Sequence, residues 1–244
     1  MAIYILAHKE VPLVSAPHFR SLALGGLGSG AFDHRDDQAD NISHLNRYYC
    51  ELTGTYWVWK NIRDDIVGLC HYRRYFSTIA LTDNADFPHT TFAATKDLLA
   101  LDAQARQVER ILERYDIIVP RPVYEPVSTQ EGYLSSHGAH GWNAFVGALD
   151  LLYGEGRHCL DIARRFYCWN MMICSRQVFD LYCRQLFFVI DRVFERVGAL
   201  PPQEGARYQP YRYPGYLAER FMAPFLLANR LRPFEAQVLQ LGDL

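Results

Sequence analysis

The chain has 244 residues, half of them hydrophobic, which suits one α/β domain with a single large core. Its formal net charge of −2 disfavours general nucleic-acid binding, because such binding needs many phosphate contacts from basic side chains. No apolar stretch approaches the ~20 residues of a membrane span, and the apolar N-terminal residues lack a preceding basic segment, so we expect a cytoplasmic protein.

The first predicted element is a buried strand over residues 2–7, followed directly by His8 and Lys9. In nucleotide-binding α/β folds the carboxyl end of the first strand lies at the ligand crevice. We therefore consider both side chains candidate nucleotide contacts, with a solvated loop as the alternative. The glycine-rich residues 24–30 lack the Walker lysine and the strand-to-helix context of a phosphate loop.

Residues 41–76 are the most informative stretch of the chain. The first half predicts a helix that begins at Ser43 and repeats apolar residues at three- and four-residue steps. Residues 66–70 then form a short apolar run, typical of a strand buried in a sheet. This run ends in the tetrapeptide HYRR at residues 71–74, where a strand end would face a ligand crevice. Two guanidiniums and an imidazole match phosphate oxygens, which predicts a sugar-nucleotide site.

Helical and strand patterns alternate through the rest of the chain. Helices are predicted over residues 95–115, 176–198 and 217–231, and buried strands over residues 116–120 and 169–174. The predicted fold class is therefore α/β, with a mostly parallel sheet flanked by helices and a helical C-terminal part.

Two regions of the second half carry candidate catalytic side chains. Residues 125–156 are rich in polar groups, among them His137 and Asp150. Glu219 lies among apolar neighbours, so its carboxylate must be paired or have a raised pKa. It is either a general base or half of a salt bridge with Arg220 or with an arginine of residues 71–74, and the sequence favours the salt bridge.

The six cysteines indicate a reduced protein without a zinc site. They contain no C-x-x-C pair and mostly lie in apolar segments, which is typical of buried free thiols. The remaining metal candidate is the pair His137 and His140, and we predict no metal site from it.

Residues 41–76 also resemble a bacterial family long catalogued as a domain of unknown function and found among capsule, exopolysaccharide and O-antigen genes. The similarity is carried by Asn41-Ile42-Ser43, Asn46, YCELTG at 49–54, Tyr56-Trp57, Trp59-Lys60-Asn61 and GLCHYRRYF at 68–76. Weaker similarity extends over most of the chain. Members are treated as glycosyltransferases, so the resemblance implies a GT-A-like nucleotide-diphospho-sugar transferase fold. It implies one domain over residues 1–244, with a nucleotide-sugar half (1–125) and an acceptor half (126–244).

The residues and the resemblance together define a predicted donor site and a set of catalytic candidates. The predicted donor-binding residues are His8, Lys9, Asn41, Ser43, Asn46, Trp57, Lys60, Asn61, Tyr72, Arg73 and Arg74. An inverting transferase needs a base for the acceptor hydroxyl. The catalytic candidates are His71, His137, Asp150 and Glu219.

The chain has no Asp-x-Asp motif, the metal-binding signature of many such enzymes, and HYRR stands where that motif would fall. A cationic cluster can neutralise a diphosphate leaving group directly, so we predict transfer without a metal. An internal ion-pair network is the alternative role for HYRR.

The predicted function is transfer of a hexose, galactose or galactofuranose, from a UDP-linked donor to a surface polysaccharide. The acceptor would be a saccharide or a lipid-linked oligosaccharide at the inner face of the membrane. The missing Asp-x-Asp keeps a second interpretation open, a non-catalytic nucleotide-sugar or carbohydrate-binding module of an assembly complex. A nucleic-acid-binding domain is disfavoured by the negative charge and the short basic run.

Overall fold

The structure is a computed structural model that describes residues 1–77, 90–93 and 105–241, except positions 12, 14 and 29. The described strands are β1 (Ala2–Ala7), β2 (Phe19–Ala23), β3 (His34–Arg35), β4 (Ile66–His71), β5 (Arg74–Ser77), β6 (Thr90–Ala93), β7 (Ile117–Pro120), β8 (Val123–Tyr124), β9 (Arg165–Phe166), β10 (Met172–Ser175) and β11 (Pro233–Leu241). The described α-helices are α1 (Asn46–Tyr49), α2 (Leu52–Asn61), α3 (Ala105–Leu112), α4 (Thr129–His137), α5 (Trp142–Tyr153), α6 (Arg176–Val197) and α7 (Tyr213–Ala228). Short 3-10 turns at Ser43–Leu45 and Pro210–Arg212 precede α1 and α7.

Nine of these strands form one mixed sheet in the order β10-β7-β11-β5-β4-β1-β2-β3, with β6 paired to β11. The prediction of a mostly parallel sheet holds for β3, β2, β1 and β4. Beyond β4 the sheet is mixed. The prediction is wrong for β5 and β10, which run antiparallel to β4, and for the pairs of β11 with β5 and of β10 with β7, whereas β6 and β7 both pair parallel with β11. The reversal at β5 follows from its two-residue connection to β4, which allows only an antiparallel hairpin.

Strand β4 joins the two halves of the chain. It pairs with β1 and β5 from the first half and with β10 from the second. Strand β11 then pairs with both β5 and β7, so β4, β5, β11, β7 and β10 form a closed ring of pairings. The predicted nucleotide and acceptor halves therefore share one sheet.

Strand β1 is buried on both faces, as its uninterrupted apolar sequence requires. Ala2, Tyr4 and Leu6 face a core built with α2, α5, α6 and α7. Ile3 and Ile5 face the opposite core, which includes residues of β11 and Val108 of α3. None of the helices in the described ranges is long and apolar enough to cross a membrane.

The single helix predicted from Ser43 is wrong, because the backbone breaks at Cys50, where φ is +52°. Ser43 does not cap a helix, since its hydroxyl donates to Asp36 at 2.7 Å. The Asn46 amide donates to the Cys50 carbonyl at 2.9 Å and to the Thr53 hydroxyl at 2.8 Å. These bonds bridge the break, so α1 and α2 are separate helices.

The other predicted elements are present, some with shifted ends. Strands β4 and β7 and helix α6 lie where they were predicted. Helix α7 begins at Tyr213, four residues earlier than predicted, and β10 begins at Met172 because Trp169 and Asn170 have left-handed backbones. Of the helix predicted over residues 95–115, positions 95–104 lie outside the described residues, and the described part, α3, ends at Leu112. Strands β2, β3, β5, β6, β8, β9 and β11 were not predicted.

Candidate functional site

The candidate site lies where β1 and β4 end side by side. The two strands are parallel and in register from Ala2↔Val67 to Leu6↔His71, so His8 follows β1 close to the last residue of β4. The His8 ring centroid is 5.0 Å from that of Tyr72 and 5.9 Å from that of His71. The sequence analysis expected these residues to meet at one strand edge, and the structure brings them together. Lys9 follows as an exposed residue.

The turn between β4 and β5 is held by the strands around it. The Tyr72 N–H donates to the Leu6 carbonyl at 3.2 Å, and the Tyr75 hydroxyl donates to the Tyr72 carbonyl at 3.1 Å. The Leu241 N–H donates to the Arg73 carbonyl at 2.9 Å. Tyr72 is therefore a buried part of the turn, and the Arg73 backbone is fixed between β1 and β11.

Two guanidiniums project from this turn. Arg73 lies over the Tyr72 ring at 5.2 Å, and Arg74 lies over the Trp169 ring at 4.9 Å while donating to Gln240 at 3.2 Å. Burial, reinforced by the charge of Arg73, lowers the pKa of Arg74. The buried Nε of Arg73 has no hydrogen-bond partner among the described residues. Adjacent cations with spare donors attract an anion.

A pocket of about 230 Å³ opens beside the turn, at the break between α1 and α2. It is lined by His8, Leu24, Asn46, Arg47, Cys50, Glu51, Tyr211 and Arg212. Arg212 donates from Nε to the Cys50 sulfur at 3.0 Å, and the Arg47 guanidinium lies 4.9 Å from the Tyr211 ring centroid. The sequence analysis missed Arg47, Glu51 and Arg212, although Glu51 stands inside the stretch that carries the resemblance.

His71 is a neutral hydrogen-bond donor in this site. Burial, together with the positive charges of Arg74 and Arg73, lowers the pKa of His71 to about 2. Its Nδ1 accepts the Arg73 N–H at 3.3 Å, so the hydrogen-bond network assigns the ring proton to Nε2. This Nε2 lies 3.9 Å from the Glu51 carboxylate.

Glu219 forms the salt bridge that the sequence favoured. One carboxylate oxygen lies 3.0 Å from Nη1 of Arg220, and the other accepts the Trp169 N–H at 2.9 Å. Burial raises the pKa of Glu219, while Arg220 and the Trp169 N–H oppose that rise. Both oxygens are engaged, so Glu219 supports the loop that places Trp169 beneath Arg74.

The predicted donor residues of α2 lie away from the turn. The first residue before α2, Glu51, lies beside His71, and Lys60 follows nine residues later, about 13 Å along the helix axis. The Lys60 ammonium lies 3.7 Å from the Trp59 ring centroid, the Trp57 indole donates to the Gln38 carbonyl at 2.8 Å, and Asn61 donates to the Asp40 carbonyl at 2.8 Å. We therefore leave Trp57, Lys60 and Asn61 out of the donor site.

Asn41, Ser43 and Asn46 support the backbone around the break. Asn41 accepts the Ser43 N–H at 3.2 Å and donates to the Ala39 carbonyl at 2.9 Å. The Ser43 hydroxyl donates to the fully buried Asp36, and Asn46 bridges the break. Asn46 lines the pocket as well, so it alone of these three residues contributes to the site surface.

His137 and Asp150 do not join the turn. The His137 ring stacks on Tyr216 with centroids 4.3 Å apart, and its Nδ1 is buried without a partner in the described ranges. Burial and the charge of Arg220 lower the pKa of His137 to about 4. Asp150 accepts the Gly156 N–H at 2.9 Å and lies 3.6 Å from His158, so it orders the loop after α5.

Comparisons with known proteins identify the family and the fold. The family model described as a domain of unknown function, DUF4422, matches residues 2–230. The chain belongs to this family. No curated protein sequence matches it.

Among solved structures, the apo structure of the bifunctional glycosyltransferase WbbM is similar, with a TM-score of 0.81 and 23% sequence identity. The match covers 99% of this chain and 45% of the WbbM chain, so our DUF4422 chain spans less than half of that protein. The likeness shows that the DUF4422 chain and WbbM share a fold.

Proposed function

We propose that this DUF4422 chain is a GT-A-like glycosyltransferase that uses a nucleotide-diphosphate sugar as donor. The observation that carries the proposal is the convergence of His8, Arg73 and Arg74 at the adjoining ends of β1 and β4, with Arg212 across the pocket. The fold shared with a protein described as a glycosyltransferase supports this function.

The chemistry of sugar transfer explains why cations are needed at this position. The bond between the anomeric carbon and the diphosphate oxygen breaks, and the electron pair leaves with the nucleoside diphosphate. Arginine neutralises that charge through charge-assisted hydrogen bonds, each contributing about 1.5–3 kcal/mol. In the proposed role Arg73 and Arg74 contact the diphosphate, while the neutral His71 presents Nε2 to Glu51.

The finer assignment follows the resemblance of residues 41–76. We propose a UDP-linked hexose donor, galactose or galactofuranose, and a saccharide or lipid-linked oligosaccharide acceptor of a capsule, exopolysaccharide or O-antigen. Metal-independent transfer remains part of this proposal, since HYRR replaces the Asp-x-Asp motif.

The test measures nucleotide release from a panel of sugar nucleotides, with and without EDTA. We expect release that survives EDTA and that falls at least tenfold in Arg73→Ala, the loss of one charge-assisted hydrogen bond. Arg63→Ala is the matched control, because Arg63 is exposed and precedes the opposite end of β4.

Two outcomes contradict the proposal. Release that requires a divalent metal contradicts the replacement of a metal by arginines. Donor binding without release from any donor, with or without a saccharide acceptor, favours the non-catalytic binding module.

A further inference from the structure

The α1–α2 break places one carboxylate, that of Glu51, at the edge of the arginine-rich turn. Glu51 is the residue before α2, yet its side chain makes no capping hydrogen bond to that helix. It lines the 230 Å³ pocket instead, with 21% of the side chain exposed. Glu51 is thus an ionisable group that faces the proposed donor site and is open to solvent.

Charged groups border Glu51 on several elements. They are His8 after β1, His71 at the end of β4, Arg74 of the turn, Arg212 of the 3-10 turn and Glu219 of α7. Arg47 of α1 lines the same pocket, and Arg73 adds a positive charge beside His8. Arginines therefore outnumber acidic groups around Glu51.

The other candidate bases are engaged or lie away from the turn. His71 presents a protonated Nε2 toward Glu51, and both oxygens of Glu219 are bonded. Asp150 holds a loop and His137 stacks on Tyr216, so neither joins the turn. Within the described residues no hydrogen bond occupies the Glu51 carboxylate, so it retains the capacity to accept a proton.

A metal ion is the alternative occupant of this place, because ligand atoms of His8, Glu51 and His71 lie within 4.8 Å of one another. A histidine must present a lone pair to a metal. The nitrogen of His71 that faces Glu51 is the protonated one, since Nδ1 accepts the Arg73 N–H. The guanidiniums of Arg73 and Arg212 add positive charge. The three side chains therefore fit a metal poorly.

We propose that Glu51 is the general base of the transfer, an inference that rests on the proposed function. Its carboxylate takes the proton of the acceptor hydroxyl while that oxygen bonds to the anomeric carbon of the donor. The bond from this carbon to the diphosphate oxygen breaks at the same time, and its electron pair leaves with the nucleoside diphosphate. Such a single displacement inverts the anomeric configuration.

The direct test compares wild type with Glu51→Gln, which keeps the shape and removes the base. We expect kcat for transfer to fall about 10²–10⁴-fold, while KM and Kd for the donor change less than about threefold. Glu109→Gln is the control, because Glu109 is an exposed residue of α3. Thermal unfolding of each variant verifies the fold, and Glu51→Ala replaces Glu51→Gln should the latter fail to fold.

The pH profile and the product separate a base from a structural residue. An acid limb in the pH profile of wild-type kcat/KM should be absent in Glu51→Gln and present in His8→Gln. The product anomer, read by NMR, should be inverted.

The inference is overturned if Glu51→Gln keeps the kcat of wild type, or if the product retains the anomeric configuration of the donor. Either result leaves the proposed glycosyltransferase function intact. Mn²⁺ binding by calorimetry that Glu51→Gln abolishes also overturns the inference and assigns a ligand role. Absence of release by wild type from every donor instead contradicts the proposed function itself.

Discussion

At the scale of single residues, Arg220 is the most deeply buried guanidinium of the site. Only 3% of the residue is exposed, and its guanidinium lies 4.0 Å from the Phe166 ring centroid while pairing with Glu219. Removing one partner of a buried pair leaves the other charge without compensation, which is more destabilising than removing both.

Replacing Arg220 alone should therefore destabilise the fold more than replacing the pair. We expect Arg220→Met to lower the free energy of unfolding by about 3 kcal/mol, because the Glu219 carboxylate is left in apolar surroundings. The double variant Glu219→Gln/Arg220→Met should recover part of that loss. Urea unfolding of wild type, Glu219→Gln, Arg220→Met and the double variant measures the coupling, and equal losses in Arg220→Met and the double variant would contradict the prediction.

Arg212 offers a second test at this scale, since it faces Glu51 and the pocket without belonging to the HYRR turn. Arg212→Met keeps the aliphatic stem and removes the charge. We expect kcat/KM for donor turnover to fall about 10–100-fold, corresponding to one charge-assisted contact. Arg207→Met, at an exposed position nearby in the chain, is the control in the same donor assay.

At the scale of elements, the position of α2 depends on a close approach to the sheet at Gly54. A Cβ added there would lie 2.6 Å from Cδ2 of Leu24 and 2.9 Å from Cδ2 of Leu6. The helix backbone therefore rests directly on side chains of β1 and of the segment after β2. This contact sets the height of Glu51 above the end of β4.

Glycine-to-alanine substitutions in α2 and α5 should change the stability of the fold in opposite directions. Gly54→Ala should destabilise by about 1–3 kcal/mol, because overpacking exceeds the gain in helix propensity. Gly147→Ala in α5 should stabilise by up to about 1 kcal/mol, since nothing lies within 4 Å of the added Cβ. Chemical unfolding of both variants checks the prediction, and stabilisation by Gly54→Ala would show that α2 can shift away.

Elements that the sequence predicted well are those with a strong local pattern. Helix α6 has a sustained apolar stripe, and β4 and β7 are short apolar runs buried on both faces. The break at Cys50 escaped prediction because neither glycine nor proline marks it. Strand β11 alternates apolar and polar residues over positions 234–238, a strand pattern that the sequence analysis did not use.

Only the part of the candidate site with a local sequence pattern was predictable. His8 and residues 71–74 follow from the rule that ligands meet the carboxyl ends of parallel strands. Glu51 and Arg212 are 161 positions apart and meet only because the helix breaks and a 3-10 turn precedes α7. Long-range packing of this kind has no local signal in one sequence.

At the scale of the whole molecule, histidines buried in neutral form make the fold sensitive to acid. The pKa of His71 is lowered to about 2 and that of His137 to about 4, in each case mainly by burial. In the unfolded chain both rings titrate near the ordinary value of about 6.5. Below that pH the unfolded state binds more protons than the folded state, so stability falls as the pH falls.

His71→Asn should remove one of these contributions, since the amide oxygen can still accept the Arg73 N–H. Between about pH 7 and pH 5, the wild type should lose about 2 kcal/mol of unfolding free energy relative to this variant. Urea unfolding at both pH values measures the difference, with His44→Asn, at an exposed position of the first 3-10 turn, as control. A pH-independent difference would mean that His71 titrates normally.

The pairing of β11 with β5 has a consequence for protein synthesis. The Leu241 N–H donates to the Arg73 carbonyl, and the Gln240 side chain accepts from the Arg74 guanidinium, although Arg74 and Gln240 are 166 positions apart in the chain. During synthesis on the ribosome, the β4–β5 hairpin with both arginines emerges early. It has no β11 to pair with until residue 241 has emerged. A nascent chain interrupted before residue 233 therefore lacks the bonds from β11 to Arg73 and Arg74 and keeps those from Leu6 and Tyr75 within the turn.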